Sequence, residues 1–259
     1  LNLKPWNKLI LKINSLKKVV NIGVVGKYTN LKDSYKSLNE ALIHGGIENS
    51  SKVEIKWINA EKINKKNIKD KLYNCDGVLV PGGFGVRGID GKIEAIRYAR
   101  ENNIPYFGIC LGMQLAVIEI ARNVLRIKHA NSSEFNSKSK SVVGLMTEWV
   151  KNNTIIKRNI NSDKGGTMRL GSYKAQLSKN SLVFSIYKKN IISERHRHRY
   201  EVNEKFISKF NKKGYIFSGM SPDGILPEVL ESNNHPWFIG VQFHPELKSR
   251  PLTPHPLFV

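Results

Sequence analysis

Between residues 19 and 124, short apolar runs alternate with stretches of helical periodicity, a pattern that few folds accommodate. VVNIGVVG (19–26) ends in glycine and reads as a buried parallel strand. A helix follows from about Asp33 to His44, and Gly45 and Gly46 are expected to stop it in a left-handed conformation. KVEIKWINA (52–60) reads as a strand, IKDKLYN (68–74) as a short helix, and GVLVPGG (77–83) as a strand closing on a glycine turn. GKIEAIRYARENN (91–103) is a helix, YFGIC (106–110) a strand and LGMQLAVIEIARNV (111–124) a helix again. The alternation predicts an α/β fold, doubly wound about a mainly parallel central sheet flanked by helices. The second half is less regular. Residues 128–141 read as a polar surface loop. VVGLM, TIIKR and SLVFSIY are strand-like runs around a Gly165-Gly166 turn, and GYIFSGMS (214–221) and WFIGVQF (237–243) read as strands. Trp6, Leu9, Ile10 and Ile13 repeat at helical spacing in a basic lead-in. The expected organisation is therefore a linker segment, 1–18, before a single domain, 19–259.

Composition removes several classes of protein. No apolar run approaches the ~18–20 residues that cross a bilayer, and the first residues lack a secretory h-region, so no membrane partner is expected. The basic, acid-free start leaves an amphipathic targeting helix open. The chain starts at Leu1 rather than Met, as a piece of a longer polypeptide does. Two cysteines are too few for a disulfide scaffold, and no Cys/His cluster has zinc spacing. Reduced thiols in a cytoplasmic protein, with no metal, are the simplest reading. A net charge of +21 raises nucleic acid as a partner. The basic residues, however, are spread along the chain among Asn and Ile, with no recognition motif. A Lys/Asn/Ile drift in composition accounts for them, and no nucleic-acid partner is expected.

One junction in the alternation carries chemistry. In PYFGICLGMQLAV (105–117) an apolar strand runs into Cys110 and a helix begins at once, with Gly108 and Gly112 two residues to either side. This is the thiol form of a nucleophile elbow. The turn makes the side chain protrude, small neighbours let a substrate approach, and the helix N-terminus favours a thiolate. YNCDG, around Cys75, reads only as a turn before a strand. A cysteine nucleophile needs a base and a group to orient it. His244 stands at the end of a predicted strand, in WFIGVQFHPE, and Glu246 follows two residues later. Pro245 favours an extended His244, and side chains two apart on an extended segment share a face. The pair then presents an imidazole backed by a carboxylate. VLVPGGFGVRG (78–88) offers close backbone approach at Gly82, Gly83, Gly85 and Gly88. Such a run suits either an oxyanion hole or a phosphate loop. It lacks the Lys-Ser/Thr of a phosphate loop, so the N–H groups of Gly83 and Leu111 are the preferred oxyanion donors.

PGGFG, then GICLGMQ, then FHPE is the signature order of the class I, triad-type glutamine amidotransferases. Within them the chain resembles the C-terminal glutaminase domains of the CTP synthases, through IGVVGKYTNLKDSYKSLNEAL, GTMRLG, ERHRHRYEVN and NHPWFIGVQFHPE. The resemblance covers essentially the whole chain, and its lead-in resembles the linker to the synthetase domain. It implies Cys110 as nucleophile, with His244 and Glu246 completing a triad that hydrolyses L-glutamine to glutamate and ammonia. It implies glutamine contacts at Gly83, Leu111, Gly112, Met113 and Gln114. Glu134 would meet the ammonium of the amino-acid end and Arg199 its carboxylate. It also implies activation by GTP through the region of Phe84, Arg87 and Arg169. No cofactor is expected in this domain. ATP and Mg belong to a synthetase (amidoligase) domain, absent here, that aminates UTP to CTP in a full-length homotetramer. The rival readings are another class I amidotransferase, a glutamyl hydrolase, or a catalytically silent domain of the same fold.

Overall fold

The computed structural model describes residues 2–27, 32–136, 140–145, 148–151, 154–157 and 168–259. The expected alternation is present: α1 (Lys4–Asn14), β1 (Lys18–Gly26), α2 (Lys36–Glu48), β2 (Ser51–Asn59), α3 (Ile68–Lys71), β3 (Gly77–Val80), α4 (Ile89–Glu101), β4 (Tyr106–Ile109) and α5 (Leu111–Asn123). The second half supplies β5 (Ala130–Ser132), β6 (Lys140–Leu145), β7 (Glu148–Lys151), β8 (Thr154–Lys157), β9 (Arg169–Leu177), α6 (Leu182–Tyr187), β10 (Ile191–His198) and β11 (Tyr200–Val202). It ends with α7 (Ile207–Asn211), β12 (Tyr215–Met220), β13 (Pro227–Ser232) and β14 (Phe238–Val241).

Among the described residues the main sheet has nine strands in the order β10-β9-β12-β13-β14-β4-β3-β1-β2. From β14 to β2 every pairing is parallel. From β14 to β10 every pairing is antiparallel. Strand alternation sends neighbouring residues to opposite faces. Val25, Val78, Val80 and Tyr106 pack with α4 and α5 on one face. Val24, Leu79, Phe107 and Val241 pack with Leu38 and Leu42 of α2 and with Leu257 on the other. This is the doubly wound arrangement, and the strand termini that carry the site are fixed between two apolar layers. α5 is buried on every side from Leu111 to Ala121, as expected of a helix that is apolar all round. A smaller sheet, β11-β6-β5, packs on it.

Four local readings are corrected. α2 runs through Gly45 and Gly46 to Glu48. The two glycines serve close packing, because a Cβ at Gly45 would lie 1.9 Å from the Phe258 carbonyl oxygen. The left-handed stop falls at Ser50, with φ 53°. SLVFSIY is helical rather than strand-like: the Ser181 hydroxyl accepts the Phe184 N–H at 3.0 Å, and the Glu231 carboxylate takes those of Leu182 and Val183, both at 3.1 Å. The expected 128–141 loop contains β5 and the start of β6. The 68–74 helix is confined to Ile68–Lys71. The Gly165-Gly166 turn lies outside the described residues. α1 buries no residue, and Lys12 ties it to Glu48 through the carbonyl at 2.8 Å and the carboxylate at 3.2 Å.

Candidate active site

Cys110 sits between β4 and α5 with φ 52° and ψ −103°. Residues other than glycine seldom adopt positive φ, at a cost of about 1–3 kcal/mol. The surroundings enforce it. The Cys110 N–H donates to the Val241 carbonyl at 2.7 Å, and its own carbonyl accepts the Gln114 N–H at 3.2 Å. Both flanking glycines are required. A Cβ at Gly112 would lie 2.1 Å from the Val80 oxygen, and one at Gly108 would lie 2.8 Å from the Gly112 carbonyl carbon.

β14 is the parallel neighbour of β4, with Val241 opposite Ile109. Three residues further on it delivers His244, whose N–H donates to the Arg195 carbonyl at 2.8 Å. The imidazole Nδ1 bonds Glu246 Oε1 at 2.7 Å. A carboxylate only accepts, so Nδ1 carries a proton and Nε2 is left to face away from Glu246. Glu246 reaches His244 through a 3-10 turn over Pro245–Leu247, not along the extended segment expected. β3 flanks β4 on its other side, with Val80 opposite Gly108, and its continuation closes the cleft. A Cβ at Gly82 would lie 2.7 Å from His244 Cε1 and 3.5 Å from Cys110 Cβ. Cys110 and His244 thus meet over one glycine.

The electrostatics suit this geometry. Burial opposes a charge on His244. The Cys110 sulfur beside it, together with its Glu246 bond, outweighs burial and pushes the pKa up to about 10. The Cys110 sulfur also lies 3.9 Å from the Arg197 carbonyl oxygen.

Gly83 lies beside Leu111, since a Cβ there would meet Leu111 Cδ2 at 3.6 Å. Leu111 opens α5, so its N–H has no intrahelical acceptor. Glu134 Oε1 accepts the Gly85 N–H at 2.8 Å. Burial raises its pKa against the Gly85 bond and the Lys27 and Arg199 charges. Arg199 keeps a buried Nε with no partner among the described residues. The Arg199 charge acts on Glu134, so the two side chains lie near each other. Other expected contacts are differently engaged. Gln114 Nε2 donates to the Tyr200 carbonyl at 2.8 Å and to Gln242 Oε1 at 3.1 Å. Met113 packs against Gly240 in the core, and Gly112 serves the elbow. Phe84 is exposed, and Arg87 makes a two-pronged bond to Glu61 at 3.0 and 2.8 Å. Arg169 is buried, with its terminal nitrogens on Glu201 at 3.0 Å and Glu228 at 2.8 Å.

The sequence reading did not single out Lys27 or Lys92. Lys27 is buried and donates to the Phe84 carbonyl. Lys92 is 1% exposed, and burial with the nearby Lys27 charge lowers its pKa to about 8. Its signal was its register with Ile89, Ile93 and Ile96 on the apolar face of α4. The RHRHR motif alternates as a strand. His196 and His198 point inward and bond each other at 2.8 Å, and burial with the Arg169 and His244 charges holds His196 neutral, at about 2.

Residues 30–259 match the family described as glutamine amidotransferase class-I. The chain is 60% identical over 257 residues to the CTP synthase of Pelagibacter ubique, covering 99% of this chain and 48% of that protein. It is 57% identical over 256 residues to the CTP synthase of Rhizobium leguminosarum bv. trifolii, covering 99% and 47%. The chain thus spans about half the length of the curated relatives it matches. Among solved structures, the glutaminase domain of Trypanosoma brucei CTPS with bound acivicin superposes with a TM-score of 0.82 at 39% identity, covering 92% of this chain and 90% of that one.

Proposed function

The chain belongs to the class-I glutamine amidotransferases and, within them, to the glutaminase domains of the CTP synthases; from that premise we propose that Cys110, His244 and Glu246 hydrolyse the side-chain amide of L-glutamine. The observation that carries this reading is the meeting of Cys110 with the His244–Glu246 pair over Gly82, from adjacent parallel strands. The Cys110 thiolate attacks the amide carbon. The N–H groups of Gly83 and Leu111 hold the oxyanion. The His244 imidazolium protonates the departing nitrogen, and ammonia leaves a glutamyl thioester on Cys110. The sulfur is now uncharged. His244 has lost one of the two partners that raised its pKa, and burial pulls it toward neutrality, which suits it to take a proton from water. Water attacks the thioester, glutamate leaves, and the thiolate–imidazolium pair returns. One residue acts first as acid and then as base because its neighbour's charge changes between the steps.

Glu134 and Arg199 hold the two charges of the amino-acid end, the ammonium and the carboxylate. The ammonia passes to a synthetase domain, a partner outside this chain, which aminates UTP to CTP with ATP and Mg in a cytoplasmic ligase of pyrimidine biosynthesis that assembles as a homotetramer. GTP acts at the rim of the cleft, where Phe84 offers an exposed ring for stacking and Arg87 an exposed guanidinium. Arg169 is spent on buried carboxylates and does not fit that role directly. Cys110→Ala should abolish release of ammonia and glutamate from glutamine while the protein stays folded. Turnover by that variant at the wild-type rate would overturn the assignment.

A further inference from the structure

β10 contributes more to the site than its Arg195 carbonyl. Its inward-facing Glu194, 2% exposed, places one carboxylate oxygen within reach of three donors: Lys248 Nζ at 3.0 Å, His255 Nε2 at 3.2 Å and the Tyr187 hydroxyl at 3.3 Å. Lys248 Nζ also donates to the Ser193 carbonyl at 2.6 Å. Next along β10, the Arg195 carbonyl takes the N–H of His244 at 2.8 Å. Three consecutive residues, Ser193, Glu194 and Arg195, therefore grip the segment His244–Lys248 at both ends, with Glu246 between the grips. His255 belongs to the same brace: its N–H donates to Ser249 Oγ at 3.2 Å, and that oxygen lies 3.1 Å from His44 Nδ1 on α2. Arg197, two residues beyond Arg195, sets its carbonyl beside Cys110. One strand is thus in register with both the base and the nucleophile.

We propose that Glu194 is a positioning residue which, through Lys248, clamps the His244–Glu246 turn at the distance from Cys110 that proton transfer requires. Lys248 is 40% exposed as a side chain, and an ion pair with such a partner adds little to stability. What the pair supplies is a fixed end point for the turn. Only one residue separates Glu246 from Lys248, so slack there passes directly to the imidazole. Small misplacements of a reacting group are expensive in rate.

The kinetic readout rests on the glutaminase reading, but a second readout does not. Glu194→Gln, Lys248→Met and the double variant are made in the 259-residue chain. The pH profile of Cys110 alkylation by iodoacetamide is followed by peptide mass spectrometry, and kcat and KM are measured for glutamine. Each single variant is expected to lower kcat roughly tenfold with KM unchanged and to move the alkylation profile to higher pH, as the imidazolium loses its place beside the sulfur. The double variant should be no worse than the weaker single, because both break one clamp. Wild-type kcat and alkylation profiles in Lys248→Met would overturn the proposal, as would multiplicative losses in the double variant or losses matching only the unfolded fraction. If the wild-type chain released no ammonia from glutamine, the glutaminase reading would fail, and the alkylation profiles would still decide the clamp.

Discussion

His244 is under two opposed influences. Burial penalises its charged form, while the Cys110 sulfur and the Glu246 carboxylate favour it, and the sum lies at about 10. The folded value is above the ordinary one near ~6.5. The protonated imidazole therefore stabilises the fold fully below that ordinary value, and the contribution is lost as pH rises through the folded value. Cys110→Ser removes the sulfur's share and leaves burial against Glu246 alone. Its His244 resonance, followed by NMR titration, should move well below the wild-type midpoint. An unchanged midpoint would mean that the sulfur is not its electrostatic partner. Residues of this kind were legible in the sequence because each travels with its own local geometry: glycines around Cys110, a proline after His244. Gly82 stood out only as one glycine among several, and Glu194 only as part of a motif. Their partners lie far along the chain, and no spacing rule connects them. Even Glu246 was found for an incomplete reason, since a tight turn delivers it to His244.

At the scale of elements, helices α4 and α5 and the strands beside them follow directly from period and length. Where the reading failed, tertiary contacts replaced local signals. SLVFSIY has strand-like composition, yet Glu231 on β13 satisfies two N–H groups at the start of α6 and makes a single turn and a half tenable. Gly45 and Gly46 look like a helix stop but are a packing surface. Helix propensity alone says that Gly45→Ala should stabilise α2 by about 1 kcal/mol. The Phe258 carbonyl, 1.9 Å from the added methyl, decides otherwise. Gly45→Ala should destabilise the protein by about 1–3 kcal/mol, read as a lower urea midpoint. A raised midpoint would show that the C-terminal segment yields freely.

For the whole molecule, the parallel half of the sheet was expected, and the antiparallel half joined to it at β14 was not. Antiparallel strands β9, β10 and β13 carry charged residues at inward positions, which obscures the apolar alternation that marks a strand. Those charges are a structural device. Arg169 on β9 joins Glu228 on β13 to Glu201 on β11, and so links the main sheet to the small one. Burial raises the pKa of both carboxylates despite the guanidinium between them. Arg169→Met would leave them buried without a cation and should cost about 3–5 kcal/mol in chemical denaturation. A loss within experimental error would remove the network from the account of stability. The register of Ile109 with Val241 has an evolutionary corollary. Two strands lying side by side bring sulfur and imidazole together, and that pairing is indifferent to the length of the loops threaded between them. Insertions and deletions in the loops of that intervening stretch, away from β10, Glu134 and Arg199, are free to accumulate across species without selection having to rebuild the reaction centre.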